Sequence, residues 1–198
     1  LQFSYLFLNF KDNRVFIFFV QRYKNSKSIV QFMKKLIILA GLPGVGKSYT
    51  ARKLKNIYYF DSDKFSKNIA KIDITKLSEK DLKRHRLKFH KKKIESILIK
   101  FNKNNKIVLD TCFDLPESRN MYYALKPKIK VIIIELICPE SIVKERIFEN
   151  IHESDRMIGT KNDRWNFYQK MKKLWIPINN PDLIIDTSKK NYFEKIKL

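Results

Sequence analysis

Apolar residues along the chain follow two alternating rhythms. Unbroken runs occupy Leu36–Ala40, "KIVLD" at Lys106–Asp110, "KVIIIELIC" at Lys130–Cys138 and "DLIID" at Asp182–Asp186, and "IYYFDSD" at Ile57–Asp63 reads as a further strand ending in acids. Runs of this length without polar alternation predict strands buried on both faces of a sheet. Between them the apolar spacing lengthens to three and four residues. This predicts helices from about Gly46 to Leu54, over Ser78–Phe101, over Pro116–Leu125, over Pro139–Ile151 and over "NDRWNFYQKMKKL" at 162–174. The longest helix carries an apolar stripe of Leu82, Phe89, Ile94, Ile97, Leu98 and Phe101, with Ser78 and Asp81 suited to its N-terminus. Pro116 suits the first turn of its helix. Strands alternating with helices predict an α/β fold of three layers, a five-stranded parallel sheet flanked by helices.

The chain has four glycines, and three of them, Gly41, Gly44 and Gly46, fall within six residues. They lie in "GLPGVGKS", Gly41 to Ser48, which fits G-x-x-x-x-G-K-[ST] between a predicted strand and a predicted helix. Glycine lets a backbone bend around phosphate oxygens with its N–H groups pointing inward, and the helix that starts there adds its positive end. The candidate nucleotide-binding residues are therefore Gly41, Gly44, Val45, Gly46, Lys47, Ser48 and Tyr49. Lys47 would neutralise the β- and γ-phosphates of ATP, and Ser48 would bind Mg²⁺.

In open α/β sheets a ligand sits beyond the carboxyl ends of the strands. Asp61 and Asp63 follow the second strand and Asp110 ends the third. Asp110 is the candidate second ligand for Mg²⁺. Asp63 is the candidate base that takes a proton from an attacking hydroxyl; the converse, with Asp61 as base and Asp63 capping the next helix, stays open. Phosphoryl transfer needs water excluded. The stretch Glu145–Trp165 is the candidate helical lid, and it carries Arg146, Arg156 and Arg164 of only nine arginines in the chain. Arg156, beside Gly159, is the one expected to act on the transferred phosphate. Arg146 and Arg164 have a plainer reading as surface salt bridges to Glu145, Glu149 or Asp163.

Taken together, "GLPGVGKS", "FDSDKF", "VLDTCFDLPESR" and "PDLIIDTS" resemble the small P-loop kinases of the polynucleotide-kinase-like and zeta-toxin-like group, which includes proteins described as AAA-type ATP-binding. The resemblance covers about Met33 to Ser188. It implies the P-loop NTPase fold, and a kinase that moves the γ-phosphate of Mg·ATP to a hydroxyl acceptor, with Asp63 as base and Asp110-Thr111 by metal and acceptor. Arg119 matches one acceptor-side arginine of that group. Two departures stand out: Ser66 occupies the place where relatives carry Arg or Lys after the base, and Cys112 replaces an Asn. The rival readings are an ATPase without an acceptor and a nucleic-acid-binding module with a vestigial nucleotide site.

The net charge is +22, with 33 Lys, 9 Arg and 20 acids in 198 residues. It makes nucleic acid a candidate partner or acceptor beside nucleotide-sugars and small alcohols, although lysine spread through the whole chain equally fits compositional drift. The eleven basic residues between Lys80 and Lys106 read mainly as the solvated side of a helix, and His85 and His90 as surface residues on it. Trp165, Phe167 and Tyr168 read as packing residues. Cys112 and Cys138 form no disulfide framework or zinc pattern, which suits a reducing cytoplasm. Before Met33 the longest apolar run is Val15–Val20, too short to span a bilayer. Aromatic-rich segments around "KDNR" there suit a hairpin, and "MKKLIILAG" reads as a start running straight into a strand. Residues 1–32 are thus expected to be an N-terminal extension, and 33–198 the working domain.

Overall fold

The five apolar runs form one sheet. The computed structural model describes residues 6–11, 14–19, 34–69, 77–149 and 160–196, and the chain divides into two compact units, Leu1–Met33 and Lys34–Leu198. In the first unit, β1 (Leu6–Lys11) pairs antiparallel with β2 (Arg14–Phe19), Leu6 opposite Phe19 and Lys11 opposite Arg14.

The second unit runs β3 (Lys35–Ala40), α1 (Lys47–Lys53), β4 (Tyr58–Phe60), α2 (Ser62–Ile69), α3 (Glu79–Lys100), β5 (Lys106–Thr111), α4 (Pro116–Tyr123), β6 (Lys130–Ile137), α5 (Glu140–Glu149), α6 (Lys161–Lys173) and β7 (Leu183–Asp186), closing on a 3-10 turn at Tyr192–Lys195. The sheet order is β4-β5-β3-β6-β7, every pair parallel. β3 is central: Ile38 lies opposite Leu109 of β5 and Ile133 of β6. Leu36 through Ala40 are wholly buried, which explains why this strand shows no polar alternation. Ile37 and Leu39 pack on one face with Ala51, Val143, Ile147 and Tyr168 from α1, α5 and α6; Leu36 and Ile38 point to the other face.

Helix ends follow their side chains. Ser78 caps α3 by accepting a hydrogen bond from the Asp81 amide at 3.1 Å. Thr160 and Asp163 form a reciprocal capping box on α6. The stretch read as one strand over Ile57–Asp63 is corrected. The strand stops at Phe60, because the Asp61 carboxylate accepts the amides of Asp63 and Lys64, both at 3.0 Å, and so starts α2. The predicted helix at 139–151 is described as far as Glu149. Among the described residues no helix is long and apolar enough to cross a membrane.

The central strand ends against its neighbour. Gly41 has φ +145°, and a Cβ there would stand 2.4 Å from the carbonyl oxygen of Leu136 on β6. The chain turns out of the sheet with no room for a side chain.

Two outcomes are expected. Gly41→Ala should cost about 2–4 kcal/mol, combining overpacking against backbone with an unfavourable φ, and lower the melting temperature by several degrees; an unchanged melting curve would contradict the close approach. A chain starting at Met33 should unfold in one cooperative transition followed by circular dichroism, and failure to fold would put residues 1–32 inside the domain.

Candidate active site

The loop between β3 and α1 divides its backbone groups by direction. The carbonyls of Gly41, Leu42, Val45 and Gly46 are taken. Lys47 Nζ donates to Gly41 O at 2.9 Å and Leu42 O at 2.7 Å. Thr187 Oγ1 donates to Val45 O at 2.8 Å, and Thr50 Oγ1 to Gly46 O at 2.9 Å. By contrast, the amides of Gly44, Gly46, Lys47, Ser48 and Tyr49 find no protein acceptor among the described residues. Gly44 and Gly46 hold φ of +79° and +94°, and no acidic residue occupies the first turn of α1. The result is a curved row of donors with no acid among them.

These donors open into a cleft of about 870 Å³ beyond the strand ends. Gly44, Gly46, Lys47, Ser48 and Tyr49 line it. Gly41 and Val45 stand behind the loop: Gly41 is pressed on Leu136, and the Val45 side chain lies in the core. Tyr49 is exposed, with Lys53 over its ring at 5.4 Å.

Asp110 is the joint between loop, sheet and helix. It is 4% exposed at the end of β5. Its Oδ2 accepts from Ser48 Oγ at 2.6 Å and Tyr59 OH at 2.7 Å, and its Oδ1 from the Ser62 amide at 3.0 Å. Ser62 Oγ also donates to the Asp110 carbonyl. Burial, and then the Asp110 charge, push the Tyr59 phenol up, so it stays a donor. Ser48 and Asp110 offer adjacent hard oxygens. That suits Mg²⁺, which takes one or two carboxylates and completes its shell with water and substrate phosphate. Among the described residues no group of three His, Cys, Asp or Glu could hold a metal.

The two acids after β4 separate. Asp61 spends Oδ1 on the α2 amides and approaches Arg52 at 3.9 Å. Asp63 lines the cleft with its side chain reachable by solvent, although protein encloses it on the remaining sides. That enclosure raises its carboxyl above the ordinary range. Asp110 pushes it the same way, while Lys93 and Lys47 pull it back. Lys93, on α3, is itself depressed by burial, with Asp110 and Asp63 opposing the shift.

The opposite wall comes from the chain's end. Arg146 Nη1 and Nη2 donate to Thr187 Oγ1 at 3.0 Å and Thr187 O at 2.7 Å. Tyr192 OH shares a 2.9 Å hydrogen bond with Thr50 Oγ1. Asp186 accepts the Ser188 amide and hydroxyl at 2.9 and 2.6 Å, shaping the turn. Arg146 therefore serves Thr187 rather than a surface glutamate, and Arg164 is buried in the cleft wall. Arg119 spends its guanidinium on the carbonyls of Phe113, Asp114, Ile176 and Pro177. Arg156, Gly159 and the middle of the expected lid lie outside the described residues. The surface reading of His90 is corrected: it is 2% exposed, with Nδ1 3.1 Å from Tyr122 OH. The solvated reading of the basic run fails at Lys93, which is buried. Tyr168 is a core residue, stacked on Trp165 with ring centres 5.2 Å apart, while Phe167 lines the cleft. Both cysteines are free.

In the sequence, only the apolar stripe sets Lys93 apart from its neighbouring lysines: it lies four residues from both Phe89 and Ile97, on the buried side of α3.

Residues 37–165, more than half of the chain, match the family described as an AAA domain. No curated protein matches by sequence. Among solved structures, the APS kinase CysC of Mycobacterium tuberculosis, in complex with AMPPNP and APS, superposes with TM-score 0.57 at 17% identity, over 82% of this chain and 93% of that one. A sugar kinase from Janibacter sp. HTCC2649 gives 0.59 at 14% identity, over 82% and 91%. The Pnkp1/Rnl/Hen1 RNA repair complex gives 0.50 at 17% identity, over 76% of this chain and 48% of that one. With the donor loop, the parallel sheet and these superpositions in agreement, the chain belongs to the AAA-domain family and has the fold of a small P-loop kinase.

Proposed function

We propose that the protein is an ATP-dependent phosphotransferase acting on a hydroxyl acceptor. The observation that carries the reading is the meeting, in one cleft, of the donor-lined loop with two carboxylates in different states, Asp110 fully hydrogen-bonded and Asp63 open to the cleft. The loop amides and Lys47 would bind the phosphate tail of ATP. Ser48 and Asp110 would hold Mg²⁺, which when bound neutralises charge on the phosphate oxygens. Asp63 accepts the proton of the acceptor hydroxyl as its oxygen attacks the γ-phosphorus and the β–γ bridge breaks, leaving ADP. Phosphoryl transfer is mostly alignment and charge neutralisation, so one placed carboxylate suffices beside the loop. Arg156 is the proposed cation of the closing lid. Kinase folds among the structural neighbours support the reaction class.

The test is ATP turnover across a panel of hydroxyl acceptors, following label from the γ-phosphate. Lys47→Ala should weaken AMPPNP binding roughly tenfold or more, since it removes a charge-assisted contact. Asp63→Asn should leave AMPPNP binding nearly intact and slow transfer by about 10²–10⁴-fold, the usual worth of a general base. Hydrolysis indifferent to every acceptor and to Asp63→Asn would instead favour an ATPase.

The pH dependence has a defined sign. Asp63 works ionised, and its carboxyl is raised, so transfer should fall with decreasing pH starting above the ordinary carboxylate range. A raised folded-state value also means the protonated form is favoured in the native state. Its stabilising contribution is present below the unfolded value of about 3.9 and is lost as pH rises through the folded value. At neutral pH, Asp63→Asn should therefore melt at or above the wild-type temperature. A clear drop would contradict the assigned environment.

A further inference from the structure

One face of α3 lines the cleft at helical spacing: His85, Arg86, Phe89, His90 and Lys93. Most of its polar groups are already matched. Arg86 forks onto the buried Asp114 carboxylate and touches Met171 Sδ at 3.1 Å. His90 is bonded to Tyr122, and the His85 ring packs on Phe89 with centres 4.6 Å apart. Lys93 differs. It is 8% exposed and has neither a hydrogen bond nor an ion pair within 4 Å among the described residues. The carboxylates within its electrostatic reach are Asp63 and Asp110, and Asp110 is already committed to three donors.

The stem of Lys93 is buried, while its ammonium is not sealed off from the cleft and meets no carboxylate directly among the described residues. The position makes chemical sense where the missing counter-charge arrives with a ligand. The ATP tail is served by the loop and Lys47, so the ligand for Lys93 is the other substrate, the one whose hydroxyl meets Asp63.

We infer that Lys93 anchors the phosphoryl acceptor, and that the acceptor is an alcohol carrying its own oxyanion, a phosphate, sulfate or carboxylate, held beside Asp63. This rests on the phosphotransferase reading above. Ser66 is small and buried in the same cleft, and the exposed Lys64 and Lys67 of α2 line a separate groove by Tyr58 and Phe65, whereas Lys93 lines the cleft with Asp63 and acts on its charge.

The test uses the full chain saturated with Mg·AMPPNP, so the loop is filled, and inorganic sulfate as the acceptor-side probe, titrated by calorimetry. Wild type should bind sulfate saturably at one site. Lys93→Met and Lys93→Gln should weaken that binding tenfold or more, and Lys93→Arg should restore part of it. AMPPNP affinity is the fold check on each variant, and whichever of the two neutral variants passes is the one read. Absence of a sulfate site in the nucleotide-loaded wild type overturns the inference. So does a change below threefold in the neutral variants, which would leave Lys93 merely compensating Asp63 and Asp110. Failure of wild type to bind AMPPNP would overturn the phosphotransferase reading itself, a distinct result.

Discussion

The structure turns on a mismatch of backbone groups in eight residues. Between Gly41 and Ser48 the carbonyls of Gly41, Leu42, Val45 and Gly46 are satisfied from behind, by Lys47, Thr50 and Thr187, while successive amides face a cleft with no protein acceptor among the described residues. Buried or half-buried N–H groups are ordinarily paired. Leaving several open on one concave surface is sustainable only if water or an anion takes them. The surrounding structure keeps the loop from collapsing onto its own chain. Gly41 is wedged against β6, Asp110 holds Ser48 in place, and the C-terminal turn braces Val45 and Thr50 through Thr187 and Tyr192.

Asp110 shows how one buried carboxylate can assemble a site from distant segments. Its donors come from α1, β4 and the first residue of α2. Because Ser62 is tied to Asp110 through both its amide and its hydroxyl, the start of α2 is fixed relative to the loop. Both acids line the cleft, but Asp61 holds its Oδ1 against the α2 amides, while Asp63 accepts no hydrogen bond among the described residues. Charge is distributed accordingly. The carboxylate with donors is satisfied inside the protein, and the one without them is raised and lines the cleft. Lys93 offsets that accumulation of negative charge from α3 without touching either acid directly.

Much of the fold was legible from the chain. Parallel strands buried on both faces leave unbroken apolar runs, and a glycine-poor sequence that gathers three glycines after such a run announces a tight turn of positive φ. The start of α3, with Ser78 as cap and Asp81 as its partner, was equally plain. The roles of Asp61 and Asp63 were not, since two acids flanking one serine after a strand both suit a cap and both suit a base. The hydrogen bonds from two amides to Asp61 assign the cap. Lys93 was hidden within three consecutive lysines, where composition points outward and only the stripe through Phe89 and Ile97 points inward. Contacts such as Tyr192 with Thr50 join residues 142 apart and leave no local trace.

The central claim is that the open amides are the nucleotide's phosphate site. The most direct measurement is a titration of the ¹⁵N-labelled protein with Mg·AMPPNP, following backbone amide resonances. The account predicts saturable shifts concentrated at Gly44, Gly46, Lys47, Ser48 and Tyr49, with protection of those N–H groups from exchange. Saturable binding that leaves these five resonances unmoved, or no binding at all, would contradict it.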